Sequence, residues 1–168
     1  MIIVVEGPNN VGKTTFINKL LTSLPDYKVE HTSNKCPNTF DYYKKCLTCF
    51  DNIIYDRLHV GEMIYPTLMN RRGNLTSKEF EKLLKIEDVI YVFIDADMEF
   101  IIQACSEKNE VFDYGMSIKE RVAFNTFSDM LSVKNCNVVK ISKHLNFEYD
   151  DNTPGNALKN IIKRCLHE

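Results

Sequence analysis

The sequence predicts an α/β fold in three layers, a parallel sheet with helices on both faces, and three observations point to it. Short apolar, β-branched runs alternate with longer helix-like stretches along the chain. Several of those runs lack in/out alternation, as strands covered on both faces do. The first of them, Ile2–Glu6, leads directly into a glycine loop and a helix. Strand and helix in alternation imply right-handed crossovers between parallel neighbours. A length of 168 residues allows one domain, spanning 1–168, and leaves little room for a second.

In chain order, strands are expected at Ile2–Glu6, Lys28–His31, Ile53–Asp56, 89–94 and 137–141, five in all. Helices are expected at residues 14–24, 40–50, 77–85, 98–104, 118–133 and 157–166. Thr76-Ser77-Lys78-Glu79 has the form of a capping box, Ser117 with Glu120 offers a second helix start, and Asn152-Thr153-Pro154 opens the last helix. No repeat, linker or low-complexity tract interrupts the series.

Composition narrows the function classes. Hydrophobic residues make up 44% and charged residues 26%, the balance of a folding globular chain rather than a disordered one. A formal charge of -2 with a pI near 6.1 gives no global basic field, so neither nucleic acid nor an acidic membrane is an expected partner. An anionic ligand must then be held by a local site. No apolar run approaches the ~18 to 20 residues that span a bilayer, and the opening residues 1–5 carry no signal-peptide pattern, so a soluble, cytoplasmic protein is expected. Six cysteines (Cys36, Cys46, Cys49, Cys105, Cys136, Cys165) are scattered through a chain large enough to need no staples, which favours thiols. Cys46 and Cys49 form a C-x-x-C without a second pair at zinc spacing, so one turn of helix is the preferred reading over metal or redox chemistry.

Chemistry enters with Gly7-Pro8-Asn9-Asn10-Val11-Gly12-Lys13-Thr14, which matches G-x-x-x-x-G-K-T between a strand and a helix. A chance match in a chain this long is about a 1 in 200 event, before that context is counted. The glycines let successive N–H groups point at phosphate oxygens, and the helix adds the positive end of its dipole. Lys13 then balances the β- and γ-phosphates, and Thr14 ligates magnesium. The expected ATP-binding residues are Gly7, Asn9, Asn10, Val11, Gly12, Lys13, Thr14 and Thr15.

The third strand ends in Asp56-Arg57, and ligands of open parallel sheets bind beyond the carboxyl ends of strands. Asp56 can order magnesium and its water or receive a proton, and the Arg57 fork can grip a phosphate. Capping of the following helix is the alternative role for this pair.

With these motifs the sequence resembles the thymidylate kinases and related phage-type deoxynucleoside monophosphate kinases, within the P-loop kinases. The family's E-G-x-D-G-x-G-K-T is similar to Glu6-Gly7-Pro8-Asn9-Asn10-Val11-Gly12-Lys13-Thr14, with Asn9 where an acidic residue usually meets the acceptor sugar. Its T-R-E-P resembles Asn34-Lys35-Cys36-Pro37, which gives Lys35 the role of a clamp on the acceptor phosphate. Its D-R matches Asp56-Arg57, its later tyrosine matches Tyr65 beside sugar and base, and its R-G resembles Arg72-Gly73 with a shift of about two residues. The resemblance implies a sheet in the order 2-3-1-4-5, ATP and magnesium as cofactors, small-molecule nucleotide substrates, and leaves a homodimer open.

The family also carries arginines in a short lid after strand four. Here the corresponding residues 105–115 offer one cation, Lys108, and Asp113-Tyr114 replaces the lid's D-R. Arg121 falls where family members often carry an arginine, and reads equally as a solvent-facing helix residue. His59, Gly61 and Glu62 line the sugar pocket in similar phage enzymes, with helix surface as the alternative. Phe40, Tyr42 and Tyr43 open the second helix, where the family places a ring against the acceptor base and where a core role fits nearly as well. Lys143 and His144 follow strand five, where adenine lies in many nucleotide kinases.

The expected activity is transfer of the ATP γ-phosphoryl group to a deoxynucleoside monophosphate, with thymidylate foremost. Lys13, Asp56, Arg57 and Lys108 are the expected catalytic residues, with Thr14 and Asp56 on the metal. Asn9, Lys35, Phe40, Arg57, Glu62, Tyr65 and Arg72 are expected on the acceptor. A deoxynucleoside kinase and a catalytically weak nucleotide-binding regulator are the rival readings.

Overall fold

The computed structural model describes residues 1–32, 36–134, 136–143, 161 and 163. Five strands, β1 (Ile2–Glu6), β2 (Lys28–His31), β3 (Ile53–Asp56), β4 (Val89–Ala96) and β5 (Asn137–Lys143), form one sheet in the order β2-β3-β1-β4-β5. All four pairings are parallel, and β1 is central, with Ile2 beside Ile53 on one side and Val89 on the other.

The helices are α1 (Lys13–Ser23), α2 (Phe40–Thr48), α3 (Gly61–Leu68), α4 (Ser77–Leu83), α5 (Met98–Glu107) and α6 (Tyr114–Val133). Side chains of β1 alternate between two cores, as the period of a strand requires. Ile2 and Val4 enter a core with Tyr43, Phe80 and Phe124 from α2, α4 and α6. Ile3 and Val5 enter the opposite core with Phe16, Ile17 and Ile101 from α1 and α5. All five residues of β1 are buried, and both faces of β4 are covered along most of its length, which explains their unbroken apolar sequence.

Local chemistry sets most of the helix starts. Thr39 caps α2, Asp97 caps α5, and Thr76 with Glu79 closes a reciprocal capping box on α4. Three starts or ends depart from expectation. α6 begins earlier because Asp113 accepts the Met116 N–H at 2.9 Å, so Asp113, not Ser117, is its cap. α5 and α6 take up both ends of the expected lid and leave residues 108–113 between them. α3 entered the expectations only as an alternative for the residues after Asp56-Arg57, since it starts at Gly61 and encloses Pro66, both poor helix signals. The expected helix at 157–166 lies outside the described residues apart from Ile161 and Lys163, which are helical. Cys46 faces the core of α2 and Cys49 is its C-cap, one turn on, both as free thiols. Among the described residues, no helix is long and apolar enough to cross a membrane.

Candidate active site

The loop after β1 is shaped by two glycines at positive φ, where a side chain would be strained. Gly7 has φ 148, and a Cβ there would collide with the Ile94 carbonyl oxygen of β4. Gly12 has φ 81 and occupies the N-cap of α1. No side chain caps that helix and its first turn holds no acid. Its leading N–H groups and the positive end of its dipole are therefore left for an anion. Val11 is fully buried in the core beneath, so it can offer a ligand only its backbone. Lys13 folds back over the loop, its Nζ donating to the carbonyls of Pro8 at 2.5 Å and Gly7 at 3.2 Å. Burial, with the Arg57 charge nearby, lowers its ammonium from the ordinary lysine range to about 7.

A second turn locks against the first. Arg57 has φ 66, in the left-handed region, where its N–H donates to the Val5 carbonyl at 3.0 Å. The next N–H, of Leu58, donates to the wholly buried Glu6 carboxylate at 2.9 Å. The carboxyl ends of β1 and β3 are thus tied together, and burial pushes the Glu6 carboxyl above its usual range. Asp56 Oδ2 faces His31 Nδ1 at 3.1 Å across the end of β2. The Arg57 guanidinium donates to the Tyr65 hydroxyl and, at 2.8 Å, to Asn9 Oδ1, and lies over the rings of Tyr65 and Phe124. Asn9 is held in turn by Glu120 of α6, which accepts its N–H and its Nδ2 at 2.9 Å each.

Two cavities meet at this junction. One of about 700 Å³ is lined by the phosphate loop with Lys13, Thr14 and Thr15, by His31 and Asp56, and by Lys108 and Glu110. The other, of about 550 Å³, is lined by Asn38, Tyr43, Glu62, Tyr65, Arg71 and Asn74 among others. Asn9, Thr32 and Arg57 belong to both walls. The arrangement offers one chamber with the uncapped start of α1 and Lys13 turned to an anion, and a neighbour with polar groups and two guanidinium-bearing residues, joined through a charge they share.

Solved structures with this architecture include several kinases. The YorR protein of Bacillus subtilis, in complex with phosphorylated GDP, superposes with a TM-score of 0.67 at 19% identity over 96% of this chain and 94% of that one. Deoxyadenosine kinase from M. mycoides with bound dCTP gives 0.63 at 14% identity over 100% of both chains. Thymidylate kinase from Candida albicans gives 0.61 at 16% identity over 99% of this chain and 93% of its own. No family model matches the sequence, and no curated protein matches it. The fold, with its 2-3-1-4-5 sheet, is that of the P-loop kinases.

The sequence-predicted residues fall into four groups. Asn9, Asn10, Gly12, Lys13, Thr14, Thr15, Asp56, Arg57 and Lys108 line the loop-side cavity, and Asn9, Arg57, Glu62 and Tyr65 line the second. Phe40 and Arg72 lie elsewhere. Phe40 packs toward α4 with Lys82 over its ring at 5.8 Å, and Tyr43 lines the second cavity in its place. Arg72 lines a shallower recess beside Gly73, one position beyond Arg71. Lys35 and His144 lie outside the described residues.

His59 fits neither role expected of it, while Arg121 is a partly exposed residue of α6 that lines neither cavity. His59 is fully buried against Tyr43, Phe80 and Tyr91, and burial alone lowers its imidazole to about 3. Arg121 is held by both oxygens of Asp95, at 2.8 and 3.0 Å. Sequence reasoning missed Arg71, Asn38, Asn74, Thr32 and His31, and saw Glu120 only as a capping residue. Polar residues just after the Lys35 segment and just before the Arg72-Gly73 pair were the available signal for Asn38 and Arg71.

Proposed function

We propose that this chain transfers the γ-phosphoryl group of ATP to a deoxynucleoside monophosphate. The second cavity carries the reading: it holds two arginines, Arg57 and Arg71, and opens through Arg57 onto the phosphate loop. An arginine fork grips a phosphate through two parallel charge-assisted hydrogen bonds, stronger than those it makes to neutral acceptors. A monophosphate oxygen is also largely ionised at neutral pH, its second pKa being about 6, so it needs no strong base to attack. That suits a cavity whose carboxylate, Glu62, is engaged by Asn74 at 3.2 Å and faces Arg71 at 3.8 Å.

ATP phosphates fit the glycine cradle, the uncapped start of α1 and Lys13. The Thr14 hydroxyl and the Asp56 carboxylate, both on the loop-side wall, are the hard oxygen donors that magnesium takes. Magnesium supplies neutralisation of phosphate charge when bound. Tyr65 and Tyr43 offer ring surfaces to a sugar or base, while Glu62 and Asn74 offer polar groups. Thymidylate is the proposed first acceptor.

A deoxynucleoside kinase is the second reading, favoured by the His31–Asp56 pair, which could take a hydroxyl proton. Incubation with ATP, magnesium and a panel of nucleosides and their monophosphates separates the two. Monophosphates are expected to be preferred by at least ~100-fold in kcat/KM, since a nucleoside brings no phosphate for the two guanidinium groups to hold. Comparable rates on thymidine and thymidylate would overturn the proposal.

A further inference from the structure

Asn10 sits at the tip of the phosphate loop with φ 61. Its side chain leaves the loop and reaches the stretch that joins α5 to α6. Nδ2 donates to Glu110 Oε2 at 2.8 Å and to Cys105 Sγ at 3.1 Å, while Oδ1 accepts from Lys108 Nζ at 2.6 Å. These partners fix which end of the amide is which, because a carboxylate only accepts and an ammonium only donates. Three bonds from a distant segment thus converge on one side chain.

Lys108 is the sole cation in residues 105–115 and lines the same cavity as Lys13 and Arg57. A lysine ammonium is a compact charge on a flexible four-carbon stem, without the rigid fork that places an arginine. Its value to a phosphoryl group depends on where it is held before reaction. The Asn10 carbonyl oxygen supplies that hold, and Glu110 keeps the amide turned toward Lys108. A turn at positive φ does not by itself call for asparagine, since glycine adopts it with less strain.

We propose that Asn10 is a positioning residue that seats Lys108 at the phosphate cavity, so that the phosphate loop and the stretch beyond α5 act as one unit. The inference rests on the phosphoryl-transfer reading above for its catalytic consequence, though not for the contact itself.

The test compares the full chain with Asn10→Gly, Asn10→Asp, Lys108→Ala and the Asn10→Gly, Lys108→Ala double variant. Two readouts are taken: amide hydrogen exchange over residues 108–113 without nucleotide, and steady-state transfer from ATP with magnesium. Asn10→Gly is expected to speed exchange there by about fivefold, the scale of one lost hydrogen bond. It should lower kcat about tenfold with the KM for ATP little changed, and Lys108→Ala should then cost nothing further. Asn10→Asp, which keeps an acceptor for Lys108 and tolerates the backbone, should fall between parent and glycine. If Asn10 serves only the turn, Asn10→Gly exchanges no faster and transfers no more slowly than the parent, and the proposal fails. Unchanged exchange, or an equal cost of Lys108→Ala in both backgrounds, overturns it as well. A parent that transfers to no acceptor would sink the kinase reading, while exchange would still decide whether Asn10 seats Lys108.

Discussion

Lys13 is unusual among lysines in being buried with only carbonyl oxygens as hydrogen-bond partners. With its ammonium lowered to about 7, the free protein holds it largely neutral at pH 8, while an unfolded chain would keep it charged to about 10. An arriving phosphate chain favours the charged form, so binding of ATP at pH 8 should draw a proton from solution. Calorimetry in two buffers of different ionisation enthalpy measures it, and Lys13→Met should abolish the uptake. The sign for stability follows from the same depression: the unfolded state binds more protons between pH 7 and about 10, so the Lys13 penalty is full below pH 7 and fades as pH rises. Lys13→Ala should leave the fold intact and lower transfer by at least ~1000-fold, read as initial rates beside an unchanged circular dichroism spectrum. Arg57 makes a different prediction because its fork touches Tyr65 and Asn9 at once. Arg57→Lys should recover little of what Arg57→Ala loses in kcat/KM for the acceptor, since a point charge cannot bridge both partners. Recovery to within a few-fold by lysine would show that charge alone matters there.

At the scale of elements, the turn from β3 into α3 is pinned by His59, set between α2, α4 and β4, with its Nε2 3.1 Å from the Tyr91 hydroxyl and its Nδ1 without a partner. Its pKa near 3 lies below the unfolded value of about 6.5, so the unfolded chain binds the extra proton across that interval. Its contribution is fully present above pH 6.5 and is lost as pH falls toward 3. Thermal unfolding from pH 7 to 4 should show this slope, and His59→Phe should flatten it. At pH 7 the same variant should be less stable by about 1 to 3 kcal/mol, because the buried Tyr91 hydroxyl loses its partner. An unchanged slope would assign the acid sensitivity to other groups. Elements also differ in how plainly the sequence announced them. β1 and β3 were legible to the residue because apolar runs end where polar turns begin, and the start of α4 because its capping box is local. α3 was hidden by Gly61 and Pro66, whose cost in a short helix is met by packing Ile64 into the core. That compensation is tertiary and leaves no local trace.

For the whole molecule, the same division separates what the chain declares from what folding creates. The phosphate loop and Asp56-Arg57 are contiguous motifs, and the fold delivers both to one end of the sheet. Glu120, by contrast, reaches Asn9 across 111 positions, and Arg71 rather than its neighbour Arg72 lines the second cavity. No spacing rule reaches that far. The central place of β1 has a further consequence, which concerns the order in which a ribosome delivers the chain. The strand made first of the five is the one that needs partners on both sides, and they are β3 and then β4. Until Ile53 and its successors emerge, Ile2–Glu6 is an apolar, β-branched segment with two bare edges, the kind that pairs with strangers, and one edge stays bare until Val89 follows. A nascent chain halted after residue 86 should therefore aggregate or recruit chaperone, whereas one halted after residue 143 should not, as sedimentation of stalled translation products would report. Early synthesis, more than the finished fold, is the stage at which this protein is most exposed to its own sequence.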